Sequence, residues 1–329
     1  MSDAPPIDFA GRRVLVTGGL GFIGSNLVRR LDALGAQVLV ADVLLSGHGG
    51  NPENLAGVSS RVDVRHCDLR EPSVLPALLD GRDIVFNLAA QTSHMGSMAD
   101  PLADLSINAA AQLQLLEACR RVAPGARIVH TSTRQVYGTP MRLPVDETHP
   151  TVPVDVNGWN KLAGEGYHRL YHRVHGLSTT VLRLTNTFGP RMRIRDAHQT
   201  FLGAWIGRIV RGEPFEVWGG AQRRDLCHVD DAVDALLRAA DPALAGGVYN
   251  LGGAASATLL EIADALVEAA GGDYRLRPYP ADRRPIDIGD YVADDGAFRG
   301  ATGWRPAVGL RDGLRDTVAF FRARAEHYA

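Results

Sequence analysis

The run RRVLVTGG is apolar and β-branched and breaks at glycines, and FIGSNLVRRLDALG after it repeats apolar residues at helical spacing up to Gly35. QVLVAD and VDVRHCDL read as the second and third strands, PSVLPALL as a short helix and DIVFNLAA as the fourth strand. A helix near residues 101–121 leads to RIVHTSTR, the fifth strand. GWNKLAGEGYHRLYHRVHG reads as a long helix and STTVLRLTN as the sixth strand. Strands alternating with helices predict a parallel sheet covered on both faces, and continuous apolar runs such as IVFNLAA suit strands buried on both sides.

Beyond about residue 187 the rhythm changes. FLGAWIGRIVRG, VDDAVDALLRAA and TLLEIADALVEAAGG carry helical periodicity, FEVWGG reads as a strand, and Thr258-x-x-Glu261 has the form of a capping box. There is no internal repeat and no low-complexity linker. The expected fold is α/β: a doubly wound parallel sheet mainly from residues 1–186 and a smaller C-terminal α/β lobe mainly from residues 187–329, with the chain free to cross between them. In open α/β sheets ligands bind at the carboxyl ends of the strands, so the lobe is expected to pack against that edge.

Apolar residues make up 45% and charged residues 22% of the 329, which suits an ordinary globular chain. The net charge is −2 and the arginines are spread along the chain, so no face is marked for nucleic acid. No apolar run reaches the length of a membrane span, and the opening MSDAPPIDFAGRR lacks the apolar core of a signal peptide. Cys67, Cys119 and Cys227 are odd in number and widely spaced. They predict a reduced, cytoplasmic chain with neither metal site nor disulfide framework.

TGGLGFIG joins the first strand to the first helix, with Gly18, Gly21 and Gly24 at regular spacing and Phe22 and Ile23 between the last two. Glycines there allow a tight turn and close backbone approach to a pyrophosphate, which the free N–H groups and dipole of the helix N-terminus attract. Asp42 ends the second strand, where a carboxylate accepts from adenosine ribose hydroxyls and repels a 2′-phosphate. The cofactor expected is therefore NAD.

TGGLGFIG, Asp42, CDL, NLAA, STRQVYG, the Asn157-x-x-x-Lys161 spacing, LRLTNTFGPR and RRDLCHVDDAVDAL follow one another in fixed order. In that order, from about residue 12 to 310, the chain resembles an extended short-chain dehydrogenase/reductase of the NAD-dependent epimerase/dehydratase family. Such enzymes are Rossmann-type and act on nucleotide-activated sugars. The resemblance implies that Asp68 and Leu69 hold the adenine and that Leu88, Ala89 and Ala90 line the pyrophosphate and nicotinamide ribose. It makes Thr133 the catalytic Ser/Thr and Asn186 a contact to the sugar nucleotide. Arg224 and Arg284 match arginines that reach the diphosphate, although Arg284 stands in RPID where the family has RPGD, and Arg191 is a further candidate. The helices near residues 101–121 and 158–175 match those that form a dimer interface in relatives, which implies a homodimer.

Lys161 is the only lysine beside 34 arginines. It matches the family lysine that bonds the nicotinamide ribose and lowers the pKa of a neighbouring tyrosine. A compact ammonium with three donors bridges two vicinal hydroxyls where a planar guanidinium does not fit. The tyrosine itself is replaced by Asn157. A carboxamide donates and accepts hydrogen bonds but is no base near neutral pH. Base help is typically worth about 10²–10⁴ in rate. The candidates to supply it are Lys161, if burial lowers its pKa, His94 in AAQTSHMGS, a carboxylate of the substrate, or a bound water. His94 has an equally plain reading as a hydrogen-bonded loop residue.

Arg134 and Gln135 stand where 4,6-dehydratases of the family carry Asp and Glu, and where uronate decarboxylases carry a Glu. Ordinary dehydration is therefore not expected and decarboxylation is disfavoured. Gln135 keeps the shape of the substrate site, and Arg134 is expected to face an anionic part of the substrate. The leading reading is a nucleotide-sugar epimerase that oxidises the sugar transiently, at C4, and returns the hydride to the other face. The alternatives are other nucleotide-sugar chemistry with a substitute base, a non-catalytic protein that binds NAD or a sugar nucleotide, and an NAD enzyme acting on a non-nucleotide substrate.

Overall fold

The computed structural model describes residues 7–45, 47–196, 200–254 and 256–328; part of the opening segment discussed above, residues 1–6, lies outside them. The chain begins with β1 (Arg13–Thr17), α1 (Phe22–Ala33), β2 (Gln37–Asp42), β3 (Val62–His66), α2 (Leu75–Leu79) and β4 (Ile84–Asn87). Three short helical pieces follow: α3 (His94–Ala99), α4 (Pro101–Leu105) and, after a π-helical turn at Ser106–Ala110, α5 (Ala111–Val122). Then come β5 (Arg127–Thr133), α6 (Val156–His175) and β6 (Ser178–Leu184).

The second half supplies β7 (Asn186–Phe188), α7 (Phe201–Val210), β8 (Phe215–Trp218), β9 (Arg223–His228), α8 (Val229–Ala239), β10 (Val248–Leu251), β11 (Ser256–Thr258), α9 (Leu259–Ala270) and β12 (Tyr274–Arg277). The expected capping box is present at α9. Near the C-terminus α10 (Gly296–Thr302) and α11 (Leu310–Arg322) follow.

Seven strands form the main sheet in the order β10-β6-β5-β4-β1-β2-β3, with every pair parallel. This is the doubly wound α/β sheet that the alternation predicts. Side chains of β1 alternate between two buried cores: Val14 and Val16 pack with Val38, Val40 and Phe86, whereas Leu15 packs with Leu39, Val85 and Leu116 on the other face. β1 lies between β2 and β4, so successive crossovers diverge there and leave a crevice at the carboxyl edge. The seventh strand comes from the second half, for β10 pairs with β6 in register Val248 to Val181. VYNL carries no alternation to announce it and is four residues long, so only the sheet edge it completes identifies it.

The smaller lobe holds a three-stranded sheet, β11-β9-β7, and a parallel pair, β12-β8. Its core gathers Leu202, Trp205, Phe215, Ile262 and Phe321. Among the described residues no helix is long and apolar enough to cross a membrane.

Candidate active site

One cavity of about 720 Å³ opens at the carboxyl edge of the main sheet and runs from the glycine loop to β7 and the 279–288 segment. Its cofactor end is built by close approach. Gly18 has φ +69°, and a Cβ there would stand 2.9 Å from the Ala89 backbone. A Cβ on Gly24 would stand 2.2 Å from Gly18 O. Gly21 is the N-cap of α1 and brings no side chain to it, and no acidic residue occupies the first turn. The amides of Phe22, Ile23 and Gly24 therefore have no intrahelical partner and are available to an anion.

Asp42 lines the cavity and accepts from Leu20 N at 3.0 Å and Leu44 N at 3.0 Å, which ties the glycine loop to the end of β2. Each oxygen keeps lone pairs for ribose hydroxyls. Asp68 is gripped by Arg70, whose hydrogen bonds outweigh burial and hold the carboxyl below its usual range. Leu69 lies beside it in the wall. Thr17 Oγ1 accepts from both Leu88 N and Ala89 N at 3.1 Å, fixing the wall that continues to Ala90. This cradle fits a dinucleotide: a pyrophosphate at the α1 N-terminus and an adenosine ribose at Asp42.

Deeper in, Thr133 ends β5, and its hydroxyl oxygen accepts from Gln135 N at 3.2 Å. Lys161 is buried on the first turns of α6, and its Nζ donates to Thr131 O at 3.1 Å. Burial pushes its pKa down to about 8, against the pull of Asp104 and Glu165. Two ammonium protons remain for a ligand.

Asn157 lines the same cavity. Its Nδ2 donates to Gln91 O at 2.9 Å and to Asp104 Oδ2 at 3.0 Å, so both amide protons are committed. Asp104 also accepts from Asn160 Nδ2 at 2.8 Å. The π turn begins two residues after Asp104, and Asn108 within it donates to the same Gln91 carbonyl. None of Gln91, Asp104 and Asn160 stands out in the sequence, because nothing in a polar residue's spacing says that it will be buried against another helix. Tyr167 does not line the cavity and packs against the core that holds Leu116 and Leu177. Tyr137 is buried, accepting from Arg183 Nη1 and donating to Asn250. Among the described residues, Tyr279 is the tyrosine that lines the cavity, and it does so from the 279–288 segment and not from α6.

His94 is not in a loop: it is the first residue of α3, with Ser93 as N-cap. Its Nδ1 stands 2.8 Å from Asp155 Oδ2. Gln135, expected to touch substrate, is 3% exposed and donates to that same Asp155 oxygen at 2.9 Å.

The arginines divide. Arg134 lines the cavity, and no hydrogen bond or ion pair holds it among the described residues. Burial and the nearby Arg224 push its pKa down to about 10. Asn186 reaches the cavity from β7 with a buried Oδ1 that has no partner. Arg224 does not line the cavity; it is tied to Gly289 O at 2.6 Å and Asp287 at 3.2 Å. Arg191 lies elsewhere, donating to Asn26 at 2.7 Å across α1 and covering the Phe320 ring. Arg284 is exposed and outside the cavity, whereas its neighbour Arg283 lines it. A three-residue helical turn rotates adjacent side chains by about 120°, so an offset of one residue moves a guanidinium out of the site.

The model of the family described as "NAD dependent epimerase/dehydratase family" matches residues 14–252. A UDP-glucose 4-epimerase of Mycolicibacterium smegmatis is 33% identical, over 95% of this chain and 100% of its own. A dTDP-glucose 4,6-dehydratase of an Actinoplanes species is 33% identical, over 94% and 98%. Among solved structures, UDP-N-acetylglucosamine 4-epimerase of Methanobrevibacter ruminantium in complex with UDP-N-acetylmuramic acid superposes with a TM-score of 0.88 at 28% identity, covering 96% of this chain and 99% of that one. A glycine cradle, a ribose carboxylate and a buried lysine at the carboxyl edge of a doubly wound sheet thus meet a match along most of the sequence, and the chain belongs to the NAD-dependent epimerase/dehydratase family.

Proposed function

We propose that the protein is an NAD-dependent nucleotide-sugar epimerase that oxidises the sugar transiently, at C4, and returns the hydride to the opposite face. The observation that carries this reading is what the cavity wall holds at the end of β5. Thr133 and Lys161 are present, while Arg134 and Gln135 occupy the positions after Thr133, and Gln135 is bound to Asp155. A hydroxyl and an ammonium suffice to orient a sugar for oxidation. Elimination of water from the sugar needs an acid and a base that these two residues do not offer.

Bound NAD would supply the hydride acceptor and donor. The chain's own residues do the rest. The α1 amides hold the pyrophosphate, Lys161 bridges the nicotinamide ribose, and Thr133 bonds the reacting sugar oxygen. Asn186 Oδ1, buried without a partner, accepts from the sugar nucleotide. Arg134 faces the cavity over the Tyr291 ring with no carboxylate paired to it among the described residues, so a sugar nucleotide with a carboxylate on the sugar suits this cavity. A homodimer in the cytoplasm is part of the same reading.

The test is to mix NAD-loaded protein with a panel of UDP- and dTDP-sugars, neutral and uronic, and to analyse products by NMR. A C4 epimer with NAD regenerated supports the reading; a 4-keto-6-deoxy product overturns it. Asn157, whose amide protons are both bonded and which is no base, favours one other reading, a protein that binds NAD and sugar nucleotide without turnover. Tight binding of both, with no product from any sugar, would establish that reading instead.

A further inference from the structure

The reading above lacks a proton acceptor, since Asn157 has none to offer. We propose that His94 is the catalytic base and that Asp155, Gln135 and Asn157 are the positioning residues that aim it; the proposal rests on the nucleotide-sugar reading. Four observations lead to it.

The His94 Nδ1 has no accessible surface and stands 2.8 Å from Asp155 Oδ2, close but without the alignment of a hydrogen bond. The side chain is nonetheless 32% exposed and lines the cavity, so Nε2 is the nitrogen a ligand can reach. A ring with one nitrogen on a carboxylate and the other facing a site is oriented for proton transfer.

Asp155 is built to stay charged. It is the N-cap of α6, accepting from Gly158 N at 2.7 Å, and it accepts from Gln135 at 2.9 Å. Burial works to raise its pKa, but the contacts with His94, Gly158 and Gln135 outweigh burial and hold the carboxyl below its usual range. Gly158 is required there, because a Cβ would stand 2.8 Å from Pro153 and 3.1 Å from Gln135 O.

Asn157 pins both ends of the segment that carries His94. Its side chain donates to Gln91 O at 2.9 Å, and its backbone N–H donates to Ser97 Oγ at 3.2 Å. Gln91 in turn closes on Ser93 through two hydrogen bonds. A tyrosine at position 157 has no donor for Gln91 in that place. The residue that stands in place of the phenol therefore also holds the segment that carries the imidazole.

In the step assigned here, the sugar O–H proton passes to His94 Nε2 as the carbonyl forms; bound NAD, held at the glycine loop, Asp42 and Lys161, would take the hydride. Imidazolium is stabilised by Asp155, and it returns the proton when the hydride comes back. No other reactant is needed. Lys161, held by Thr131 O, keeps to the ribose.

The experiment uses the full NAD-loaded chain with UDP-glucose and UDP-glucuronic acid, reading kcat and KM by product NMR and sugar-nucleotide affinity by calorimetry. His94→Gln is expected to lower kcat by about 10²–10⁴ with affinity kept, Asp155→Asn to lower kcat by a smaller factor at unchanged KM, and imidazole to restore turnover in His94→Gly. A His94→Gln enzyme within about threefold of wild type would overturn the dyad. So would a loss that falls on affinity and is not rescued. Wild type inactive on every sugar nucleotide would overturn the epimerase reading instead. The dyad has an arm independent of turnover: in ¹⁵N-histidine-labelled protein, neutral His94 keeps its proton on Nδ1, and a proton on Nε2 would refute the arrangement.

Discussion

At the scale of single residues the site is decided by who is left without a partner. Lys161 is buried, and its pKa is pushed from 10.5 down to about 8. Between those values the unfolded chain holds the proton that the folded chain has released, so this group's contribution to stability rises as pH rises through the window. The stability of Lys161→Met relative to wild type should therefore fall from pH 8 to 10.5, by at most about 1.4 kcal/mol per pH unit. Denaturant unfolding of the apo proteins measures it, and a difference flat in pH would mean the lysine is solvated. Arg134 is legible in the sequence only as a substitution; that its guanidinium lies over Tyr291 with its Nε unbonded is a fact of packing. Arg134→Met should raise KM for UDP-glucuronic acid about 10- to 100-fold, the range of a lost charged hydrogen bond, and leave UDP-glucose nearly unchanged. Equal KM changes for both sugars would place the anion on the diphosphate instead.

Elements show where periodicity informs and where it misleads. The β1-loop-α1 unit is readable because apolar run, glycines and helical spacing adjoin in the chain. Gly18→Ala puts a Cβ at 2.9 Å from the Ala89 backbone in a left-handed conformation, so NAD affinity by calorimetry should fall more than about tenfold while the main sheet stays folded. Unaltered affinity would show that the loop does not need the close approach. The stretch near residues 101–121 reads as one helix, yet it holds a π turn at Ser106–Ala110. Its wider turn sets Asn108 on the Gln91 carbonyl while Asp104, one turn earlier, meets Asn157. No single-segment pattern encodes that, since the reason lies on α6 and in the loop after β4.

At the scale of the whole molecule, α4 and α6, which pack together, keep large apolar side chains exposed. Leu102 and Leu105 of α4 are 75% and 46% exposed, and Trp159, Leu170 and Val174 of α6 are 55%, 41% and 58% exposed. The α6 residues recur on one helical face. Such a face suits a second copy of the chain. Light scattering should give a dimer mass for wild type and a monomer mass for Trp159→Glu with Leu170→Glu; a monomeric wild type would sink the pairing. By itself the sequence determined what adjacent residues dictate: the alternation that makes a parallel sheet, the glycine loop, Asp42, the lone Lys161 and the absence of a tyrosine four residues before it. Tertiary structure alone decided the seventh strand from VYNL, the removal of Arg191 and Arg284 from the cavity, and the grip of Arg224 on Asp287. It also set His94 against Asp155. These are contacts between segments up to 165 residues apart, and a side chain's partner across such a distance is fixed by how helices dock on the sheet, which no local pattern carries.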